Sequence, residues 1–308
     1  TQRSTLFPYT TLFRSSDGWG ISLFATEFAE IYEAFLDGRP SPLPPVERQY
    51  SDVAVWIDER IRSGALQPQL DYWKEKLAAP RPDLHFPLDH ARPDVSTHRG
   101  ARHVFTVSPD MTAALTALGR RESASLFMVL AAIWQTLLHR ATGSSDIITG
   151  TAIANRNHPQ IEKIIGTFIN ALALRTDFSG APSFSTVLDR VRRTALDAYA
   201  RQDIPFEKIM ESVSDGTRYP VFRNSLILHN MPLPTKRFAG LTLTDDEIGN
   251  DTAKMDMLLY FIERDGQLEG QLEYDTDVFT AATAEKIVTD FLMLARQVVK
   301  DPYRSLGE

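Results

Sequence analysis

The sequence contains no cysteine, which excludes disulfides, thiolate zinc sites and a cysteine nucleophile and suits a reducing, cytoplasmic setting. It also lacks a long hydrophobic run. The most strongly apolar stretch, Leu126 to Leu138, is interrupted by Gln135 and Thr136 and falls short of the about 20 residues a bilayer span needs, so it reads as a buried helix. There is no basic excess: 33 Lys plus Arg stand against 40 Asp plus Glu, a net charge of −7, and neither nucleic acid nor a membrane is expected as a partner. No basic region followed by an apolar run opens the chain, so no signal peptide is read. G-x-S-x-G, H-E-x-x-H, Walker-type and G-x-G-x-x-G motifs are all missing. The seven histidines (85, 90, 98, 103, 139, 158 and 229) are scattered, no pair has i, i+4 spacing, and no metal site is expected. Internal repeats of 20 to 50 residues and low-complexity tracts are absent as well.

What is there is globular. Of 308 residues, 43% are apolar and 24% charged, enough to bury a core in one large domain or in each of two. The first fifteen residues stand apart, with Thr-Leu-Phe at 5 to 7 returning at 11 to 13 and Arg-Ser at both ends of 3 to 15. An extended, β-prone arm broken by Pro8 is one reading. The other is that Thr5 to Ser15 resembles the in-frame translation of a common DNA sequencing adaptor, which makes residues 1–15 a non-native artefact and starts the natural protein near Ser16.

Beyond that junction Phe24, Phe28, Ile31, Tyr32 and Phe35 recur at helical spacing, and Gly38 and Pro40 close the segment. Helical pieces follow around Tyr50 to Ile61 and Pro68 to Leu77, then a proline-rich link whose end, near residues 95–100, is read as a domain boundary. From there strands and helices alternate. His103 to Val107 reads as a strand, Ser108-Pro109-Asp110 as a helix start, and Ser125 as the cap of a helix apolar around most of its circumference and ending near Gly143. Asp146 to Gly150 and Ala171 to Thr176 read as strands, and Phe184 to Tyr199 as a helix. Later strands are predicted at Ser225 to Asn230, Leu241 to Glu247, Met255 to Glu263 and Leu268 to Tyr274, the last two joined by an Asp265-Gly266 hairpin turn. Thr280 caps a final helix bearing Ile287, Phe291, Leu294 and Val298. This order predicts an α/β sandwich with a mixed sheet covered by helices.

Five strings are denser in Gly, Asn, Pro and aromatics than ordinary scaffold: Asp17-Gly18-Trp19; Tyr50 to Trp56, including Asp52; Gly150 to Arg156, including Asn155; Ile165 to Arg175, including Gly166, Phe168 and Asn170; and Gln202-Asp203-Ile204-Pro205-Phe206-Glu207. Each has a plain structural reading: a packed helical turn for Tyr50 to Trp56, a turn into a helix for Gln202 to Glu207, and strand ends where Gly and Asn adopt unusual backbone angles for the other two long strings. In this order and spacing, from Ser16 to about Pro302, they resemble the condensation domain of nonribosomal peptide synthetases.

That resemblance implies a chloramphenicol-acetyltransferase-like fold, with residues 16–98 the remnant of its N-terminal half and 99–308 the complete C-terminal half. It implies amide formation between an upstream acyl or peptidyl thioester and a downstream aminoacyl thioester. Both substrates arrive on phosphopantetheine arms of partner carrier proteins, beside an adjacent adenylation domain, and the domain holds no cofactor of its own. The family motif HHxxxDG uses its second His to accept or position the proton the attacking amine loses. Asp17 and Gly18 match the motif's end as structural residues, and Trp19 fits the position that follows. The two histidine positions are Leu12 and Phe13, so the chain is expected to be catalytically inactive. Asp17 is expected to pair with an arginine, Arg156 and Arg175 both being candidates, and the remaining motif residues are expected to shape a channel. The stretch Gly216 to Phe222 keeps the Pro and Phe of a further family motif but not its Arg-Asp pair. Gly150 to Arg156 with Ile165 to Arg175 looks more like amide-forming members than epimerising ones, and Leu12 argues against the heterocyclising type, which carries an Asp there. The alternative is a noncatalytic module that docks a carrier protein or a neighbouring domain. If the partner strands of the N-terminal half are missing, apolar surface around residues 16–95 is expected to lack cover.

Overall fold

Side-chain caps set most of the helix starts in the computed structural model, which describes residues 16–82, 84, 86–213, 221–229, 237–242 and 251–307. Asp17 caps α1 (Gly18–Leu36), Ser108 caps α4 (Pro109–Arg121), Ser125 caps α5 (Leu126–Thr142), Ser183 caps α6 (Phe184–Tyr199) and Thr280 caps α8 (Ala281–Lys300). In each case an oxygen of the cap accepts a backbone N–H of the first turn, satisfying one donor that the helix cannot. Between them lie α2 (Tyr50–Arg62), α3 (Gln67–Lys76) and α7 (Phe206–Val213). α5 stops where Gly143 turns left-handed at φ 71°.

Eight strands are described: β1 (Gly100–Val107), β2 (Asp146–Ile153), β3 (Asn170–Asp177), β4 (Asn224–His229), β5 (Arg237–Phe238), β6 (Leu241–Thr242), β7 (Met257–Arg264) and β8 (Gln267–Asp275). Six form one mixed sheet in the order β1-β8-β7-β4-β2-β3. The β1–β8 and β8–β7 pairs are antiparallel, whereas β7–β4 and β4–β2 are parallel. Asp265 and Gly266 both have positive φ, 51° and 78°, the geometry a two-residue hairpin turn requires, and they join β7 to β8 as the Asp-Gly pair predicts. The remaining two strands pair with each other. Asn230, most of the strand predicted at Leu241 to Glu247, and the Gly216 to Pro220 part of the motif around Phe222 lie outside the described residues.

Contacts divide the chain into two units discontinuous in sequence. The smaller takes its described residues from 16–68, 153–170 and 237–242, and the larger from 69–152, 171–229 and 251–307.

The core of the larger unit is one face of the sheet packed under α4, α5 and α8. Alternate residues of β8 (Leu268, Gly270, Leu272, Tyr274) are buried, the period-two signature of a half-covered strand. Phe261 of β7 meets Phe291 of α8 at 5.7 Å between ring centroids, and residues 128–138 of α5 are all buried. Burying each large side chain of this kind contributes about 1.5–3 kcal/mol. Several polar groups carried inside are hydrogen-bonded. Trp134 Nε1 donates to Asn224 Oδ1 at 3.0 Å, Asn224 Nδ2 donates to the Ile148 carbonyl at 2.9 Å, and Gln135 Nε2 donates to the Leu174 carbonyl at 3.0 Å. No single helix among the described residues is long and apolar enough to cross a membrane. α4 and α5 reach that composition only together, with a bend of 99° between them.

Candidate functional site

In the smaller unit the first, second, third and fourth strings converge on one carboxylate. Asp17 Oδ1 accepts from the Gly20 amide at 2.8 Å and from Arg156 Nη2 at 3.1 Å, while Oδ2 accepts from the Phe168 amide at 2.8 Å. The capping role fixes the carboxylate at the positive end of α1, and the arginine completes its neutralisation. Arg156 also donates to backbone: Nη1 to the Ile161 and Ile164 carbonyls at 2.8 and 2.7 Å, and Nη2 to the Gly166 carbonyl at 3.1 Å, while the buried Nε has no partner among the described residues. Its guanidinium lies 4.3 Å from the Phe168 ring centroid and 5.8 Å from that of Trp19. Burial lowers the Arg156 pKa, and Asp17 opposes that shift.

Around this pair the aromatics lock the loop 156–168. Trp19 Nε1 donates to the Glu162 carbonyl at 3.0 Å, the Tyr50 hydroxyl donates to the Thr167 carbonyl at 2.9 Å, and Tyr50 meets Phe168 edge to face at 5.2 Å. Gly166 lies against the Tyr50 ring so closely that a Cβ there would overlap it. Val53, Ile161, Ile164 and Phe168 make the small core beneath. Asn155 sits at φ 51°, a left-handed position that Asn tolerates better than most residues. Asp52 closes the capping box of α2 by accepting from the Gln49 amide at 2.8 Å. Trp56 lies under Arg60, 4.7 Å from ring centroid to guanidinium, beside a cleft of about 190 Å³ shared with Arg48 and His158. Asn170 opens β3.

The remaining motif residues belong to the larger unit. Arg175, the second candidate partner for Asp17, is engaged elsewhere. Its guanidinium bonds Asp146 of β2 through Nε and Nη2, the latter at 2.6 Å, and donates to the carbonyls of Lys76, Ala78 and Pro80. It clamps the end of α3 to the sheet beside a hollow of about 520 Å³ lined by Tyr72, Lys76 and Asp177. In that hollow burial lowers the Lys76 pKa, and burial with the nearby Asp197 carboxylate pushes Tyr72 up to about 12. The string Gln202 to Glu207 forms the turn into α7, with the Pro205 carbonyl accepting from Lys208 and Ile209, Glu207 in the first turn, and Phe206 5.6 Å from Phe222.

Two residues that hold this second cluster carry no motif. The Gln69 side chain brackets Asp203, accepting from the Asp203 and Ile204 amides through Oε1 and donating to Asp203 Oδ2 from Nε2. Trp73, one turn on, is fully buried and donates to the Arg201 carbonyl at 2.9 Å. The adjacent aromatics Tyr72-Trp73 were the available signal, and nothing local marks Gln69. Among the described residues no group of three or more His, Asp and Glu is placed to hold a metal ion.

Both oxygens of the Asp17 carboxylate are engaged by groups of the same unit, so the Asp17 cluster fastens a helix start to a loop. A mixed six-stranded sheet under helices, with an Asp-Gly turn pinned by a buried arginine, defines an α/β protein of the chloramphenicol-acetyltransferase-like class. The condensation-domain family model matches residues 15–308, and the chain belongs to the condensation domains of nonribosomal peptide synthetases. One linear gramicidin synthase polypeptide of Brevibacillus parabrevis is 40% identical over 297 residues, which are 95% of this chain and 6% of that protein. The X-domain from teicoplanin biosynthesis superposes with a TM-score of 0.85 at 25% identity over 95% of this chain and 69% of its own. The same X-domain in complex with OxyB gives 0.82 at 26%, over 96% and 67%. The first condensation domain of the calcium-dependent antibiotic synthetase shares the fold, with a TM-score of 0.76 at 20% identity over 96% of this chain and 66% of that one.

Proposed function

We propose that the chain derives from a condensation domain that joins an upstream acyl or peptidyl thioester to a downstream aminoacyl thioester, both presented by carrier proteins next to an adenylation domain, and that as it stands it is inert. The observation that carries this is the buried Asp17–Arg156 pair. It occupies the Asp-Gly turn with a purely structural task, so the proton of the attacking amine falls to the imidazole that the family motif places four residues before Asp17. Position 13 is Phe and position 12 is Leu, and both lie outside the described residues. On this reading residues 5–15 are a translated adaptor, 16–98 the end of an N-terminal half and 99–308 the C-terminal half. Trp19, Tyr50, Gly166 and Phe168 shape the wall that the turn leans on, no cofactor is held, and the phosphopantetheine belongs to the carriers. With carrier-bound donor and acceptor the chain should give no amide above a no-enzyme control, and product formation would overturn the proposal.

A second reading, a module that docks a partner without catalysis, is favoured by one observation: the similar X-domain was solved in complex with OxyB. Sequencing the source DNA across codons 12–17 separates the two. A native His-His before Asp17 supports the enzyme, and native Leu12-Phe13 supports the docking module.

A further inference from the structure

A groove of about 500 Å³ runs along α8 in the larger unit, between that helix, the last turn of α5 and the segment 86–89. Leu137, Ile287 and Leu294 form its floor, each nearly buried, while Leu88 and Met293 stand on its rims at 39% and 49% exposure. The wall opposite α8 is fixed before any ligand arrives. The Asp89 amide donates to the Val278 carbonyl at 3.0 Å, and Phe86 packs edge-on against Phe279 at 5.7 Å.

The charges around this floor are unequal in what they have left to offer. Asp89 accepts from the Thr280 amide and from both the Thr280 and Thr283 hydroxyls at 2.7 to 3.0 Å. Lys286 and Asp290 are paired with each other at 2.5 Å. Arg140, which lines the same groove, makes no hydrogen bond or ion pair among the described residues. Its place in the last turn of α5 complements the helix dipole but leaves the guanidinium fork unspent. One cation with no ion-pair partner among the described residues, above an apolar floor of small-molecule size, matches a ligand with one anionic head and an apolar body. The carboxylates of Asp89 and Asp290 beside it oppose a second negative charge.

We infer that this groove binds an alkyl carboxylate, its head on Arg140 and its chain over Leu137, Leu294 and Met293. The site is independent of the Asp17 cluster and of the function proposed above. The test is titration of the whole chain with decanoate, decanol and decyl phosphate, followed by calorimetry and by NMR shifts of the Met293 methyl. Decanoate should bind at one saturable site, with decanol and decyl phosphate each about tenfold weaker or worse. Arg140→Gln, an exposed change that should leave the thermal melt intact, should bring decanoate down to the level of decanol, and Met293→Glu should abolish binding of both. No saturable decanoate binding, decanol or decyl phosphate binding as tightly as decanoate, or an Arg140→Gln chain that binds decanoate unchanged would overturn the inference.

Discussion

Asp17 and Arg156 meet at 3.1 Å with side chains 5% and 1% exposed, so the two ends of the fastener are as dry as the hydrophobic core. In such surroundings a lone charge is costly, and each group is tolerated because the other neutralises it and backbone groups bond to it.

Removing one partner should therefore cost far more than a surface ion pair is worth. Asp17→Ala leaves the Arg156 cation buried and the first turn of α1 uncapped, and should lower stability by about 3–5 kcal/mol in urea unfolding of the whole chain. Arg156→Lys, which keeps the charge but cannot reach the three carbonyls and the carboxylate together, should also destabilise. Losses under about 1 kcal/mol for both, the range of exposed pairs, would show that the pair is not buried in solution.

Gly166 has no room for a side chain because the Tyr50 ring occupies the space. Gly166→Ala should cost about 1–3 kcal/mol through overpacking. Most of that loss should disappear when the same change is made in a Tyr50→Ala background, a coupling that a double-mutant cycle reads directly.

His229, at the end of β4, packs against Tyr260 with ring centroids 5.7 Å apart, and its buried Nε2 has no partner among the described residues. Burial, with Arg264 adding repulsion, holds its pKa below the ordinary value of 6.5. The unfolded chain takes up this proton near 6.5 and the folded chain only at lower pH. The contribution is thus complete above 6.5 and is lost as the pH falls toward the folded value. Unfolding midpoints followed from about pH 7.5 to 5 should decline, and His229→Gln should flatten that slope; equal slopes would discard the assignment.

Phe24, Phe28, Phe35 and Leu36 stand 49 to 62% exposed along α1, and among the described residues the ring stack from Phe24 through Phe28 to Tyr32 meets Phe238 edge-on. A continuous apolar stripe of this kind favours self-association. Sedimentation should show concentration-dependent oligomers, and Phe24→Glu with Phe35→Glu should return the chain to monomer.

Elements whose signal is local were legible in the sequence. The all-round apolar α5, the Asp-Gly hairpin and the capping residues Ser108, Ser125 and Thr280 each state their structure within a few residues. α1 shows the limit of periodicity: its aromatics predict a helix with an apolar stripe, but nothing in the spacing tells whether that stripe is covered. The partner of Asp17 was open between Arg156 and Arg175 because both sit in Gly- and Asn-rich strings. Only tertiary structure assigns one to the carboxylate and the other to Asp146 and the end of α3. Gln69 was invisible for a related reason. A glutamine that brackets a turn 134 residues away leaves no mark on its own neighbourhood.

The edge strand β1 finds its partner in β8, more than 160 residues later, and pairs with no other strand among the described residues. Loop closure of that length precedes any reward from the pairing, which predicts slow folding dominated by long-range contacts. On the ribosome the sheet stays open until β8 has emerged, and its apolar face and the β1 edge stay available to other chains throughout that interval. Expression yield should therefore respond to temperature and chaperone supply more than to the stability of the finished fold.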